Sequence, residues 1–428
     1  MHSVSSTRPV FKKKLCQYYT STAVFLLGAI ALIIPSGYSL GAAMLVLGSI
    51  SLLVQRPALN LDRRDGLLIG SFFAYIIVHA LEAWWDSIGI SGIDRPSRLA
   101  MAIPAMFLII ACPPRLAFLW SGLAFGAITT GSWAGWQKII EESDRASGYT
   151  HVIQFGNLSM LVGVLCLAGL GWAMVQQRRN MWVCFLLLGA AFGILGSLFS
   201  GSRGGWIGFP IVLWVLYRAY GRHLANWLKF ALVMILVGAS ILVYTIPQAG
   251  VQHRVHQAFN DVSQYASGDN RVTSVGSRFE MWRGAGHMIS EKPLFGWGEN
   301  GYREQMSVLA SEGVVESGIL RYGHAHNEMI DAFAKRGIVG VIVLLLLYLV
   351  PLRLFARHFS EPDIAKRSLA VAGVLLPVTY IDFGLTQTFL SHNSGIMIYA
   401  FWIAVLWGTL KRQYITSVVP LSKASQAL

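Results

Sequence analysis

The chain has 428 residues, of which 54% are hydrophobic and only 13% charged, with a formal net charge of +13. A soluble domain carries about 25% charged residues, so this balance excludes one and points to a protein built from bilayer-crossing helices. Nor does the positive charge indicate nucleic-acid binding, because most basic residues lie in short loops between apolar runs, where they set membrane topology.

The chain opens on a basic head followed by an apolar run, "RPVFKKKLCQYYTSTAVFLLGAIALIIP", which is too long for a cleaved signal and reads as a retained first span. Predicted spans follow the apolar runs at 19–35, 38–54, 67–85, 99–112, 116–136 and 152–175. They continue at 181–200, 205–220, 226–245, 337–356, 367–385 and 392–410. The expected fold is therefore an all-α integral membrane protein of about twelve transmembrane helices, with both termini on one side. Residues 1–245 hold the first nine spans, 246–336 form one large, partly helical loop, and 337–428 hold the last three spans and a short tail.

One set of loops carries Lys12, Lys13, Lys14, Arg63, Arg64, Arg178, Arg179, Arg353, Arg357, Lys411 and Arg412. The short loops opposite carry only Arg95, Arg98, Lys138, Arg145 and Arg203. The richer side is expected to be cytoplasmic, which places 246–336 outside, in the periplasm of a bacterium. The four cysteines, Cys16, Cys112, Cys166 and Cys184, lie in or beside apolar segments without a C-x-x-C pair. Neither a disulfide framework nor a zinc site is expected from them.

A polar loop of this length is usually functional. Within it, "SRFEMWRGAGHMISEKPLFGWGENGY" has helical spacing through Phe279, Trp282, Gly286 and Ile289, then breaks at Pro293. Ser277 and Glu280 fit a capping box, which puts Arg278 in the first turn of that helix. Arg278 and Arg283 there form a candidate phosphate site at a helix N-terminus, or else a solvated helix paired to Glu280 or Glu291.

Arg203, in "SGSRGGWIGF", stands at the junction of two spans. A guanidinium there faces an aqueous cavity or an anion, unless it snorkels to the interface. A third polar site is "HAHNEMIDAFAKRGIVG", residues 324–340, with His324, His326 and Asn327 at the edge of a span. Asn327 either orients the imidazole or caps the next helix. Trp282, Trp297 and Tyr302 are candidate sugar-ring contacts or plain interfacial aromatics. Asp382, followed by Gln387 and His392, and the one-face set His79, Glu82 and Asp86 are candidate substrate contacts or partners of buried arginines. The chain has no D-x-D pair and no lysine-bearing phosphate loop, so metal-dependent sugar transfer and ATP use are disfavoured, and no metal or cofactor is expected.

His326-Asn327, nine residues, Gly337, two residues and Gly340 together resemble the His-[Asn/Ser/Gln]-x9-Gly-x-x-[Gly/Thr/Tyr] signature of the O-antigen ligase family (WaaL). "SRGGW", R-x-x-x-W followed by "PLFGWG", and "HNEMIDAFAKRGIVG" occur in the order found in the O-antigen ligase and polymerase superfamily. The likeness spans roughly 150–345, while the first half is similar only in hydropathy. It implies a GT-C-like glycosyltransferase in which Arg203 and Arg278 hold a lipid-linked pyrophosphate and His326 is the general base. Arg283, Asn327, Trp282, Tyr302, His324 and Asp382 are then the candidate substrate contacts.

By the same resemblance, the donor is an undecaprenyl-pyrophosphate-linked glycan and the acceptor is lipid A–core at the outer leaflet of the inner membrane. Transfer would be inverting. The alternatives are an O-antigen polymerase, a protein O-oligosaccharyltransferase and, from a different class, a lipid-linked glycan flippase.

Overall fold

The computed structural model describes residues 7–246 and 250–424, and its regular structure is helical throughout. The first half comprises α1 (Thr7–Ala29), α2 (Gly37–Ser49), α3 (Ser51–Gln55), α4 (Arg63–Trp85), α5 (Ser91–Asp94) and α6 (Ser97–Ala111). It continues through α7 (Leu116–Ile139), α8 (Val152–Met174) and α9 (Arg179–Ser200) to α10 (Phe209–Ala219) and α11 (Asn226–Thr245). The polar loop folds into α12 (Val251–Ser267), α13 (Gly276–Glu291) and α14 (Gly298–Ser311). The chain closes with α15 (Glu328–Ala356), α16 (Ile364–Gly384) and α17 (Asn393–Ala424).

Each predicted span falls on a helix, and among the described residues eight helical stretches are long and apolar enough to cross a bilayer. The protein is thus a multi-pass membrane protein. The segments 19–35, 99–112, 116–136 and 205–220 fall on α1, α6, α7 and α10, outside those eight. α6 and α10 have 15 and 11 residues, short of the roughly 20 that a full crossing needs. α17 runs on past the predicted end of its span, to Ala424.

Small residues let the central helices approach closely. Ser159 on α8 donates to the Gly193 carbonyl on α9 at 2.8 Å, and a Cβ on Gly193 would lie 2.7 Å from the Gly163 Cα. α1 packs on the start of α7, where the Arg115 N–H donates to Ser21 Oγ at 2.9 Å. That packing corrects the expectation of unpaired cysteines. Cys16 and Cys112 form a disulfide across a sequence separation of 96, with Cα atoms 6.0 Å apart. Only the tertiary contact brings them together, so their spacing in the sequence carried no sign of it.

The polar loop has a second hydrophobic core of its own, built from Met281, Ala285, Met288, Tyr302, Met306, Leu309, Val315 and Ile319, with Ala334 contributed by α15. α13 begins at Gly276 after Val275, with no side-chain cap, so the predicted Ser277–Glu280 capping box does not form. The Glu280 carboxylate instead accepts from the Tyr265 hydroxyl at 2.8 Å and the Glu316 N–H at 2.9 Å. Tertiary partners for a buried carboxylate outcompete the local one.

At the opposite end of the bundle, buried Asp65 on α4 accepts from the Trp407 indole at 2.8 Å and pairs with Lys411 of α17. Removing one partner of a buried ion pair strands the other charge, at a cost of about 3–5 kcal/mol. Lys411→Ala is expected to lower stability by about that amount in chemical unfolding from detergent, and Lys411→Ala with Asp65→Asn to recover most of it.

Candidate functional site

The site begins with a break in a helix. At Gly337, α15 leaves helical geometry, with φ +60° and ψ −159°. The freed Ile338 and Val339 N–H groups donate to the Pro293 and Leu294 carbonyls at 2.8 and 3.5 Å, and Trp297 N–H donates to the Ala334 carbonyl at 3.0 Å. "PLFGWG" is thereby spliced into α15 by backbone hydrogen bonds. A Cβ on Gly337 would lie 2.2 Å from the Leu294 carbonyl carbon, and one on Gly296 would lie 2.4 Å from that of Lys335. Both positions also have positive φ, so glycine is required twice over. The spacing in the motif now has a physical meaning: it fixes the short helix between His326 and the splice.

Asn327 caps that helix, its Oδ1 accepting from Met329 and Ile330 N–H at 3.0 and 3.1 Å. Its amide donates to the Leu385 carbonyl at 3.2 Å. His326 precedes it in the left-handed region, at φ +50°. His324 Nδ1 accepts the His326 N–H at 3.3 Å, with the two rings 4.2 Å apart. Buried Glu328 accepts from the Phe389 and Leu390 N–H groups, tying the loop between α16 and α17 to this corner. Gln387 on that loop lies beside His326, with its amide nitrogen 3.3 Å from His392 Nε2. His392 in turn stacks on His151, at the start of α8, with centroids 5.9 Å apart.

Four imidazoles therefore line one corner. Burial, then the charges of His324 and Arg278, push His326 down to about 3. Burial, followed by Lys335 for His324 and by His151 for His392, brings those two down to about 4. His151 is lowered by burial and by Arg145. All four rings are neutral near pH 7.

Arg278 is half-buried in the first turn of α13, close enough for its charge to act on His326. Arg203 opens a 3-10 turn, Arg203–Trp206; its side chain lies outside the described residues. The turn and the glycine just after it pack closely on their neighbours: a Cβ on Gly204 would sit 2.1 Å from Thr386 Oγ1, and one on Gly208, before α10, 2.5 Å from Asp382 Cγ. Thr386 adjoins Gln387, so the arginine turn and the histidine corner share one loop. Arg145 donates to the Ser200 carbonyl at 2.8 Å, and Arg254 lies 3.3 Å from where a Gly201 Cβ would be.

Other sequence candidates are placed differently. Tyr302 has no exposed surface and belongs to the second core, so it is a packing residue and not a sugar contact. Trp282 donates its indole N–H to the Ala325 carbonyl at 2.9 Å, and Trp297 donates to the Met288 carbonyl at 3.0 Å. Arg283 lies about 140° round α13 from Arg278 and is exposed. Asp382 is 6% exposed beneath the glycine turn. Glu82 pairs with Arg336 at 2.5 Å, His79 Nδ1 lies 2.9 Å from the Tyr75 carbonyl, and Asp86 accepts the Asn300 N–H at 2.7 Å. These three join α4 to its neighbours and to itself.

The sequence reading missed His151, Gln154 and Asn157. They recur every third residue from the N-cap of α8, and the last two are buried with no side-chain partner among the described residues. Polar residues at helical spacing inside an apolar span were the available signal.

Fold and site together define a polytopic, all-helical membrane protein with histidines and arginines gathered at one end of its bundle under a folded polar loop. The family model described as O-antigen ligase matches residues 188–345, which contain the glycine turn, the R-x-x-x-W helix, the splice and the histidine loop. An uncharacterized protein of Haemophilus influenzae is 30% identical over 370 residues, covering 86% of this chain and 92% of that protein. An O-antigen ligase of Escherichia coli K12 is 26% identical over 259 residues, covering 60% of this chain and 58% of that protein. The chain belongs to the O-antigen ligase family, whose members carry out ligase- or polymerase-type glycan transfer.

Gly337→Ala is expected to destabilise the protein by about 2–3 kcal/mol and to reduce folded yield sharply, because the methyl meets the Leu294 backbone. Gly301→Ala, whose nearest neighbour would be at 3.5 Å, serves as the tolerated control. Size-exclusion yield and thermal unfolding in detergent measure both.

Proposed function

We propose that the protein is an O-antigen ligase of the bacterial inner membrane, transferring a glycan from undecaprenyl pyrophosphate to lipid A–core at the periplasmic face. The acceptor hydroxyl attacks the anomeric carbon and gives its proton to His326. The bond from that carbon to the phosphate oxygen breaks, and the diphosphate leaves with the electron pair. Attack from the face opposite the leaving group inverts the anomeric centre. The leaving group is already good, so the protein's task is to place positive charge where negative charge grows. Arginine forks from Arg278 and Arg203 fit that role.

The observation that carries this reading is that the charge of Arg278 reaches a neutral imidazole, that of His326, whose Nδ1 has no hydrogen-bond partner among the described residues. In the free protein, burial and Arg278 make that imidazole a weak base. A bound diphosphate offsets the arginine charge and restores basicity, so the donor activates the base that the acceptor needs. The four-imidazole corner and the loop above it give the sugars a polar surface at headgroup depth, while both lipid tails stay in the bilayer.

His326 must be unprotonated to act, so activity is expected to fall only as pH drops through its pKa. The acid limb of kcat/KM, which reports the free protein, should lie well below 6.5, towards about 3. The acid limb of kcat, reporting the donor complex, should lie at higher pH. Coincident limbs near 6.5 contradict the proposed coupling.

The decisive assay is reconstitution in proteoliposomes with purified lipid-linked glycan and lipid A–core, without metal or ATP. Glycan should appear on lipid A–core; elongated lipid-linked glycan instead identifies a polymerase, and movement across the bilayer without transfer a flippase. His326→Ala is expected to cut kcat by about 10²–10⁴-fold while donor binding persists. Arg278→Lys, a point charge in place of a fork, should lower kcat/KM by at least about tenfold. Wild-type turnover in either variant contradicts the assignment.

A further inference from the structure

The R-x-x-x-W spacing has no role in the chemistry just described, yet both of its ends reach the histidine loop. Arg278 and Trp282 stand four residues apart on α13, so they share one face of the helix. The charge of Arg278 acts on His326. Trp282 donates its indole N–H to the carbonyl of Ala325, the residue before His326, at 2.9 Å.

Ala325 is held from the other side as well. Its N–H donates to Asp331 Oδ1 at 2.9 Å, and the residue has no exposed surface. Asp331 is set by Lys335, 3.2 Å away and 2% exposed. Lys335 also donates to the Gly323 carbonyl at 2.9 Å and pairs with Glu299 of α14 at 2.7 Å. Both backbone polar groups of one residue, in the two successive peptides that flank it, are thus gripped by side chains from α13 and α15, and the nearby Gly323 carbonyl is gripped from α15.

A loop without repetitive backbone structure needs such contacts to hold a non-glycine residue at positive φ. His326 is at +50°, where an ordinary side chain stays only when its surroundings over-determine it. The backbone conformation of a residue sets the direction of its side chain. Releasing the Ala325 peptide would therefore re-aim the imidazole and change its distance from Arg278.

Resting on the function proposed above, we infer that Trp282 and Asp331 are positioning residues. Trp282 registers the histidine loop against the helix that carries Arg278, so that the four-residue spacing acts as a ruler between the cation and the base. Lys335 and Glu299 hold Asp331 in place and extend the same frame to α14.

The test is steady-state transfer in proteoliposomes containing an undecaprenyl-diphosphate-linked glycan and lipid A–core, using the full-length protein. Trp282→Phe keeps the ring and removes the donor N–H. It is expected to lower kcat by about tenfold to a hundredfold, with KM for the donor within about twofold of wild type. With Arg278 no longer held in register, the acid limb of kcat/KM should also move to higher pH, because that cation lowers the His326 pKa. A loss of packing alone would reduce the amount of folded protein and move neither the kcat–KM split nor the pH limb.

Asp331→Ala should reproduce the kcat-selective loss, and Asp331→Asn, which keeps an acceptor oxygen for the Ala325 N–H, should recover at least about half of it. Wild-type kcat in Trp282→Phe, or equal losses in Asp331→Ala and Asp331→Asn, overturn the inference. His326→Ala run beside them separates the two ideas. Full activity there defeats the function itself, whereas an inactive His326→Ala with an unaffected Trp282→Phe defeats only the ruler.

Discussion

Backbone hydrogen bonding at the Gly337 break is the constraint on which the rest of the site depends. A helix interrupted at the edge of its apolar run leaves N–H and carbonyl groups without helical partners, and these are costly in an apolar setting. The chain satisfies them with the backbone of "PLFGWG", and only glycine at 296 and 337 lets the two strands of backbone approach that closely. The polar loop is joined through this splice to the bilayer helices, and its second core takes Ala334 from α15. α13, with Arg278, and the histidine loop are consequently positioned from the same rigid joint.

Burial then decides the electrostatics. Four imidazoles from three separate parts of the chain meet at one corner, and desolvation keeps them neutral. On the proposed function, a neutral, partly buried imidazole that feels the charge of Arg278 is poorly suited to act as a base in the empty protein and well suited to do so beside a dianionic diphosphate. The same arrangement would discourage reaction with water before the donor arrives. Ion pairs elsewhere, such as Glu82 with Arg336 and Asp65 with Lys411, are spent on holding helices together at the two ends of the bundle.

The sequence made the helical, membrane-spanning character legible because hydropathy and periodicity are local properties. It also exposed Arg203, Arg278 and His326, since each is an ionisable group at the edge of an apolar run or a helix start. What stayed hidden was non-local. The Cys16–Cys112 pair depends on α1 meeting the start of α7, and Tyr302 is a core residue because the loop has a core. Of the two roles the sequence offered for Asn327, the local one, a helix cap, is present, whereas Glu280 found tertiary partners in place of the predicted box. His151 escaped notice because its partner, His392, lies more than two hundred residues away in sequence. The glycines of the motif were visible from the start, but their reason, a backbone splice, required coordinates.

The central claim is that one cavity brings a departing diphosphate and an acceptor hydroxyl to the Arg278–His326 pair. A cryo-electron microscopy structure with an undecaprenyl-diphosphate-linked glycan bound tests it most directly. The account predicts phosphate oxygens within hydrogen-bonding range of the Arg278 guanidinium, about 3 Å, with the anomeric carbon facing His326. Diphosphate bound at the opposite end of the bundle, near Asp65 and Lys411, or outside the reach of both groups would contradict it.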